Sequence, residues 1–228
     1  MNLPDPKYFT ESTQIINVKA DSWDGPVAKM QWLERVNPED DWKAISDQFD
    51  VVVGKRGLAW GQNILPVPKT AEDLKKEGDM KTPSGLYGLC FAFGYAPNPP
   101  ERMAWPYLPI DENFVGVDDP KSRYYNCIVN QKTLQDHDWK SAETMYRADG
   151  LYKWGIVIDY NFGNEKYTSL PASFSPSLSE TGAGSQIFFH IWRGEGQGTE
   201  GCIAMPEEKM LELMHWLRGD LMPLVWIH

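Results

Sequence analysis

The sequence predicts a mainly β fold with a few short helices and one longer helix near the C-terminus. Short runs rich in β-branched and aromatic residues are separated by turns that contain Gly, Pro, Asn or Asp. The chain has 10 Trp, 10 Tyr and 9 Phe, which suit a β-rich core and an aromatic-lined groove. A long helical pattern occurs at 206–218.

The first half of the chain is predicted to begin as a β-meander. The strongest strand pattern is 50–54, because it is β-branched and closed by a glycine. A charged stretch rich in Ala, Glu, Leu and Lys favours a short helix, and the Pro and Gly after it favour a turn. The predicted elements are strands at 13–20, 27–35, 42–45 and 50–54, a helix at 71–78, a turn at 81–85 and a bent strand or strand pair at 86–95.

The second half is predicted to alternate strands with long loops before the final helix. Pro206 suits the first position of that helix, and Glu207 and Glu208 suit its positive end. The apolar stripe of this helix indicates core packing. The other predicted elements are ordered loops at 96–109 and 163–184, a helical turn at 140–147, and strands at 126–129, 154–160, 186–192 and 223–227.

Composition limits the possible functions. A chain of 228 residues with 42 % apolar residues is expected to form one domain, or one domain with an extension. The net charge of −10 argues against nucleic acid or an anionic membrane surface as the main partner. No stretch has the length and apolarity of a membrane span, and the N-terminus lacks the pattern of a signal peptide. Cysteine and histidine spacing predicts no metal site, and we expect no cofactor.

Cys202 is the candidate nucleophile. It follows Gly201 in a polar segment, and His190 lies twelve positions upstream (202 − 190 = 12) at the end of an apolar run. A nearby imidazole favours the reactive thiolate, and the glycine-rich bend at 193–198 would let both side chains face one cleft. The alternative is a buried free cysteine beside a structural histidine. Cys90 and Cys127 could pair in an oxidising compartment and leave Cys202 free.

Four further residues are candidates for substrate binding. Arg193 could pair with a substrate carboxylate or form a surface salt bridge. Trp192 could form an aromatic wall or pack in the core, and Thr199 could hydrogen-bond near the thiolate or shape its loop. Glu143 could be carried toward a cationic amine by a lid at 138–143, or could belong to an ordinary helix N-terminus.

Two motifs resemble a known family. Thr-Glu-Gly-Cys-Ile-Ala-Met at 199–205, preceded by His190, resembles the signature of the L,D-transpeptidase catalytic domain of the YkuD type. Lys-Thr-Pro-Ser-Gly-Leu-Tyr at 81–87 resembles the Thr-Pro-x-Gly-x-Phe/Tyr element of the same family. Further stretches between 50 and 228 fit a divergent branch of it.

The resemblance implies a β-sandwich or barrel-like catalytic domain at 50–228, with 1–49 as a β extension packed on it. It implies that Cys202 attacks an acyl carbon in peptidoglycan stem peptides and that His190 is the general base and acid. The backbone N–H groups near Gly201 and Cys202 would stabilise the oxyanion. The thioester would then pass to an amine or to water, in the periplasm or cell envelope, with any export signal absent from this sequence.

Departures from the family pattern leave other functions open. Glu200 stands where the family usually has a histidine, and Ala204 stands where a basic or amide residue is common. These changes motivate a non-catalytic wall-binding domain as an alternative. An amidase that releases peptides or proteins from peptidoglycan is a further outcome of the same chemistry. A papain-like protease is disfavoured, because the histidine precedes the cysteine here. The sequence predicts no oligomeric state.

Overall fold

Strands dominate the computed structural model, which describes residues 3–8, 11–62, 64–65, 73–161 and 179–228. This confirms the predicted mainly β class, with one α-helix near the C-terminus. Short 3-10 helices occur at Pro6–Tyr8, Gln131–Thr133 and Gly219–Leu221. The α-helix and strands are β1 Gln14–Ala20, β2 Val27–Glu34, β3 Lys43–Ala44, β4 Phe49–Val52, β5 Leu58–Trp60, β6 Thr82–Tyr87, β7 Leu89–Gly94, β8 Tyr107–Pro109, β9 Phe114–Val117, β10 Ile128–Asn130, β11 Ala142–Thr144, β12 Trp154–Ile158, β13 Phe188–Ile191, β14 Ile203–Met205, α1 Glu207–Trp216 and β15 Leu224–Ile227.

The main sheet is mixed and curls into a half-barrel. Its strand order is β5-β6-β15-β1-β2-β4-β14-β13-β12-β7-β8, with β3 paired to β2. β1 pairs parallel with β15 and antiparallel with β2, so the N-terminal hairpin lies inside this sheet. The division between an extension at 1–49 and a catalytic domain at 50–228 stays a prediction.

Helix α1 packs against the main sheet. Its buried residues Met210, Leu213 and Met214 belong to the same apolar cluster as residues of β1, β2, β4 and β12–β15. Trp216 at its end stacks on Trp32 of β2, with ring centroids 5.5 Å apart and an interplanar angle of 12°. The helix thereby joins the first strands of the chain to those near the C-terminus.

A second, three-stranded sheet, β10-β9-β11, is linked to the main sheet near Gln186. Asn126 makes the link. Its side-chain amide donates to the carbonyl oxygen of Tyr160 at 3.2 Å, and its Oδ1 accepts from the backbone N–H of Gln186 at 2.8 Å. Asn126 therefore fixes the segment that leads into β13.

Three local predictions are wrong in the described residues. The predicted helix at 71–78 is absent from its described part, where Leu74 forms a β-bridge with Trp60. The predicted turn at 81–85 lies mostly in β6, which pairs with β5 and β15. The predicted helical turn at 140–147 contains β11, which pairs with β9. In each case long-range strand pairing outweighs local propensity. Of the predicted loop at 163–184, 163–178 lies outside the described residues.

Candidate active site

A cavity of about 360 Å³ opens beside the ends of β13 and β14. Its lining includes six of the seven predicted site residues. Trp192 is not one of the described residues that line the cavity. Its backbone N–H donates to the carbonyl oxygen of Met205 at 2.9 Å. The predicted residues that line the cavity are Cys202, His190, Gly201, Thr199, Arg193 and Glu143.

The register of β13 and β14 places His190 and Cys202 on one face of the sheet. These strands are parallel, and His190 is opposite Ala204. Side chains two residues apart on an extended chain point to the same side, so Cys202 just before β14 shares a face with Ala204. His190 and Cys202 are therefore diagonal neighbours, and both line the cavity.

Cys202 is a buried, protonated thiol. Its residue surface is 7 % exposed, and its Sγ donates to the carbonyl oxygen of Gln186 at 3.2 Å. Burial raises the pKa of the Cys202 thiol to about 12, and the negative charge of Glu143 acts in the same direction. The sulfur therefore carries its proton at neutral pH.

His190 is held in the neutral tautomer that suits a base. Its Nδ1 lies 2.7 Å from the carbonyl oxygen of Ile191, and because a carbonyl only accepts, Nδ1 carries the proton. The Nε2 lone pair is left to act on a substrate or a thiol. The ring of Tyr152 packs edge-on, with centroids 5.1 Å apart. Burial lowers the pKa of His190 to about 4, so the resting pair is neutral at pH 7.

The loop before Cys202 is fixed by two threonine hydroxyls. Thr199 Oγ1 accepts from the backbone N–H of Gly201 at 3.1 Å and donates to the carbonyl oxygen of Cys202 at 2.6 Å. Thr82 Oγ1 donates to the carbonyl oxygen of Gly201 at 2.8 Å. Gly201 has φ +150°, and an added Cβ would lie 3.1 Å from the carbonyl oxygen of Lys81. The chain therefore needs a glycine at this point.

Charged side chains form one wall of the cavity. Glu143 Oε1 accepts from Tyr152 OH at 2.9 Å and from Arg147 Nη1 at 3.0 Å, and burial raises the pKa of Glu143. Arg147 also forms two hydrogen bonds with Asp149, at 3.0 and 2.7 Å. Arg193 lies 3.6 Å from Asp149 with about half of its side chain exposed. The interpretation of Glu143 as part of a helix N-terminus is wrong, because it lies in β11.

The structure adds residues that the sequence prediction did not assign to the site. Gln186 contacts the sulfur through its backbone carbonyl, which no side-chain pattern could reveal, and it has φ +54°. Arg147 comes from the segment predicted as a helical turn, and Tyr152 lies between that segment and the predicted strand at 154–160, where the sequence predicts no element. Thr82 belongs to a motif that the sequence does single out, although its bond to Gly201 depends on the fold.

Other kinds of site receive no support from the described residues. The three cysteines, Cys90, Cys127 and Cys202, are free thiols. No group of three or more His, Cys, Asp or Glu side chains in the described ranges could hold a metal ion. In the same part of the chain, no helix has the length and apolarity needed to cross a membrane.

Comparison with known proteins identifies one match. The family model YkuD, the L,D-transpeptidase catalytic domain, matches residues 29–225, from β2 to β15. The match includes both His190 and Cys202. Searches of curated proteins and of solved structures found no match.

Proposed function

Because the chain belongs to the L,D-transpeptidase catalytic domain family, we propose that it is a cysteine-dependent L,D-transpeptidase or L,D-carboxypeptidase. Its substrates would be peptidoglycan stem peptides, and its intermediate a thioester on Cys202. The observation that carries this proposal is that Cys202 and His190 line one cavity, with the His190 tautomer suited to accept a proton at Nε2.

The reaction starts from a neutral thiol and a neutral imidazole. Cys202 Sγ attacks the carbonyl carbon at the L-centre of a diaminopimelate residue as His190 Nε2 takes the thiol proton. The tetrahedral intermediate collapses, the C–N bond breaks, and the imidazolium gives its proton to the leaving amine. The products of this half-reaction are the thioester and a free D-amino acid or peptide.

The second half-reaction decides between transfer and hydrolysis. An acceptor amine or a water molecule attacks the thioester carbon while His190 Nε2 takes a proton from it. The C–S bond then breaks, and the proton returns to the sulfur. An amine gives a cross-linked product, whereas water gives a shortened stem.

The charged wall supplies groups for both ends of a zwitterionic substrate. In this proposal Arg193, which is about half exposed, binds a substrate carboxylate, and Glu143 attracts a cationic amine. Thr199 shapes the Cys202 loop, and the backbone of Trp192 bonds to Met205 in the strand that follows this loop. Gly201 N–H donates to Thr199, so it must exchange that partner to bind an oxyanion. The protein would act in the periplasm or cell envelope, where this substrate lies.

The test is turnover of purified muropeptides with tetrapeptide stems. Mass spectrometry should find cross-linked dimers or shortened stems with the wild-type chain, and an acyl-enzyme mass that depends on Cys202. The variant Cys202→Ala should lose both products. Full activity in that variant would refute the thioester mechanism. Binding of sacculi without turnover, unchanged when Cys202 is blocked, would favour the wall-binding alternative. Release of attached peptides or proteins would favour the amidase.

A further inference from the structure

Lys75 is a buried lysine that the proposed mechanism does not use. Its side chain is 2 % exposed, which is rare for a lysine and requires a partner. Its Nζ pairs with Asp79 at 2.7 Å and donates to the carbonyl oxygen of Lys76 at 2.8 Å. Its backbone N–H donates to the carbonyl oxygen of Trp60 at 2.9 Å, so both ends of the residue are anchored.

Gly184 makes room for this side chain, and Gly201 lies close to it. A Cβ added at Gly184 would lie 3.0 Å from Lys75 Cε and 3.1 Å from its Nζ. A Cβ added at Gly201 would lie 4.0 Å from Lys75 Cε. Gly201 directly precedes Cys202, and Gly184 lies two residues before Gln186, which accepts the hydrogen bond from the thiol. Lys75 therefore packs against the segment that leads to Gln186 and lies near the residue that precedes Cys202.

Asp79 connects the lysine to the backbone that supports the Cys202 loop. Its carboxylate accepts from the backbone N–H of Lys76 at 2.7 Å and of Lys81 at 2.9 Å, besides Lys75 Nζ. Lys81 is followed by Thr82, whose hydroxyl donates to Gly201. The ion pair is thus part of a continuous set of contacts that ends at the residue before the nucleophile.

We propose that Lys75 is a positioning residue for the reaction proposed above, on which this inference rests: it fixes the segments on both sides of the Cys202 thiol and holds a buried positive charge beside the sulfur. That positive charge stabilises negative charge on the sulfur, which develops as the thiol attacks and again as the sulfur leaves the acyl carbon. A buried charge is screened less by solvent than an exposed one, so its effect on the sulfur is correspondingly larger.

The other charged groups that line the cavity are carboxylates, or arginines that pair with carboxylates: Arg147 with Glu143 and Asp149, and Arg193 with Asp149. Burial raises the pKa of Cys202, and the negative charges of Glu143 and Glu200 raise it further, whereas the backbone at Phe188 and the charge of Lys75 lower it. Tyr152 and His190 also face the same cavity, and both are buried. His190 is neutral at rest because its pKa lies near 4. Lys75 therefore opposes groups that disfavour the thiolate.

The experiment measures how fast iodoacetamide alkylates Cys202 in the full chain as pH is varied, with mass mapping of the Cys202 peptide. Lys75→Met keeps the length and apolar part of the side chain and removes the charge. We expect alkylation at about pH 8 to slow roughly ten-fold, which corresponds to a thiol pKa about one unit higher. Lys75→Arg keeps the charge and should recover most of the rate.

Two further variants make the result decisive. Lys153→Met removes one positive charge at the exposed ion pair with Glu207, and its rate should stay within about two-fold of wild type. Lys75→Met with Asp79→Asn removes the buried pair without leaving an unpaired carboxylate, and it replaces the single variant if that variant does not fold. Iodoacetamide should also alkylate Cys202 slowly in this double variant.

A wild-type alkylation rate in folded Lys75→Met, or in the double variant, overturns the proposal. Equal slowing in Lys75→Met and Lys75→Arg also overturns it, because packing alone would then explain the effect. Alkylation reports on the thiol without any substrate, so this result is independent of muropeptide turnover. If Cys202→Ala retained turnover, the proposed function would fail, whereas the effect of Lys75 on the thiol would still be measurable.

Discussion

The hydroxyl of Thr82 donates a hydrogen bond to the carbonyl oxygen of Gly201 at 2.8 Å, across 119 residues of sequence. This bond joins the two motifs on which the family resemblance rests. Thr82 is fully buried, and its Oγ1 also accepts from the backbone N–H of Gly54 at 2.8 Å. One side chain therefore connects β6, the segment just after β4 and the loop before Cys202.

Replacing this hydroxyl should affect both stability and activity. Thr82→Val keeps the shape and leaves the Gly54 N–H and the Gly201 carbonyl without this partner, at a cost of about 1–3 kcal/mol in the free energy of unfolding. We expect kcat/KM on muropeptides to fall by about ten-fold, because the Cys202 loop loses a support. Urea unfolding and turnover assays measure the two effects. The control is Thr133→Val, which removes a hydroxyl at an exposed position. Equal losses of stability and of kcat/KM in the two variants would contradict the prediction.

The acid limb of the pH–activity profile should have its midpoint well below the usual pKa of a histidine. Burial lowers the pKa of His190 to about 4, and the base must be neutral to accept a proton. Activity should therefore persist at about pH 5 and fall as pH drops through about 4. Measurement of kcat/KM against pH, with circular dichroism to monitor folding, tests this. An acid limb near pH 6.5 in the folded protein would argue against the buried, neutral imidazole.

Substitution of Gly201 should reduce turnover more than substitution of Gly196, a nearby glycine. Gly201→Ala puts a Cβ 3.1 Å from the carbonyl oxygen of Lys81 in a backbone conformation that disfavours side chains. Gly196→Ala also meets a positive φ, of +72°, but its Cβ has nothing within 4 Å. We expect about 1–3 kcal/mol of destabilisation from strain in each variant, and a large loss of turnover in Gly201→Ala alone. Similar turnover in both would show that the contact is unimportant.

Asp159 should make the protein less stable as pH rises. Burial raises the pKa of Asp159 to about 6 from its ordinary 3.8, and the neighbouring Cys90 thiol opposes this effect only in part. The folded state thus binds more protons than the unfolded state between these values, so this group reduces stability as pH rises from about 4 to 6. His190 has the opposite effect in nearly the same range, because its lowered pKa stabilises the fold as pH rises.

Asp159→Asn separates these two contributions. The amide has nearly the same shape as the carboxyl group, but it carries no charge. We expect the free energy of unfolding to increase by up to about 3 kcal/mol at pH 8 and to change little at pH 4. Urea unfolding at several pH values gives this difference. Asp47→Asn, at an exposed position, should have little effect at either pH. A loss of stability at pH 8 in Asp159→Asn would contradict the prediction.

The sequence is sufficient to predict features whose interacting residues are close together in the chain. His190 and Cys202 are separated by a glycine-rich bend, so their presence in one cavity follows from two neighbouring strands and a loop. The apolar stripe and the acidic first turn likewise predict α1 almost to its ends. Local patterns are sufficient in these cases because the interacting groups are close in sequence.

Features that depend on distant segments could not be predicted in this way. Glu143 lies in a segment of helical composition, but pairing of β11 with β9 makes it extended and brings it to the cavity. Lys75 lies where a charged helix is predicted, and only the fold shows that its side chain is buried, close to Gly184. The carbonyl of Gln186 has no side-chain signature at all.

The hydrogen bond from Cys202 to Gln186 has a consequence for the chemical durability of the protein. Peroxide oxidises thiolates far faster than thiols, and a sulfur that keeps its proton at rest is correspondingly resistant to sulfenic acid formation. In an oxidising environment, we expect such a cysteine to stay reduced until its proton is removed.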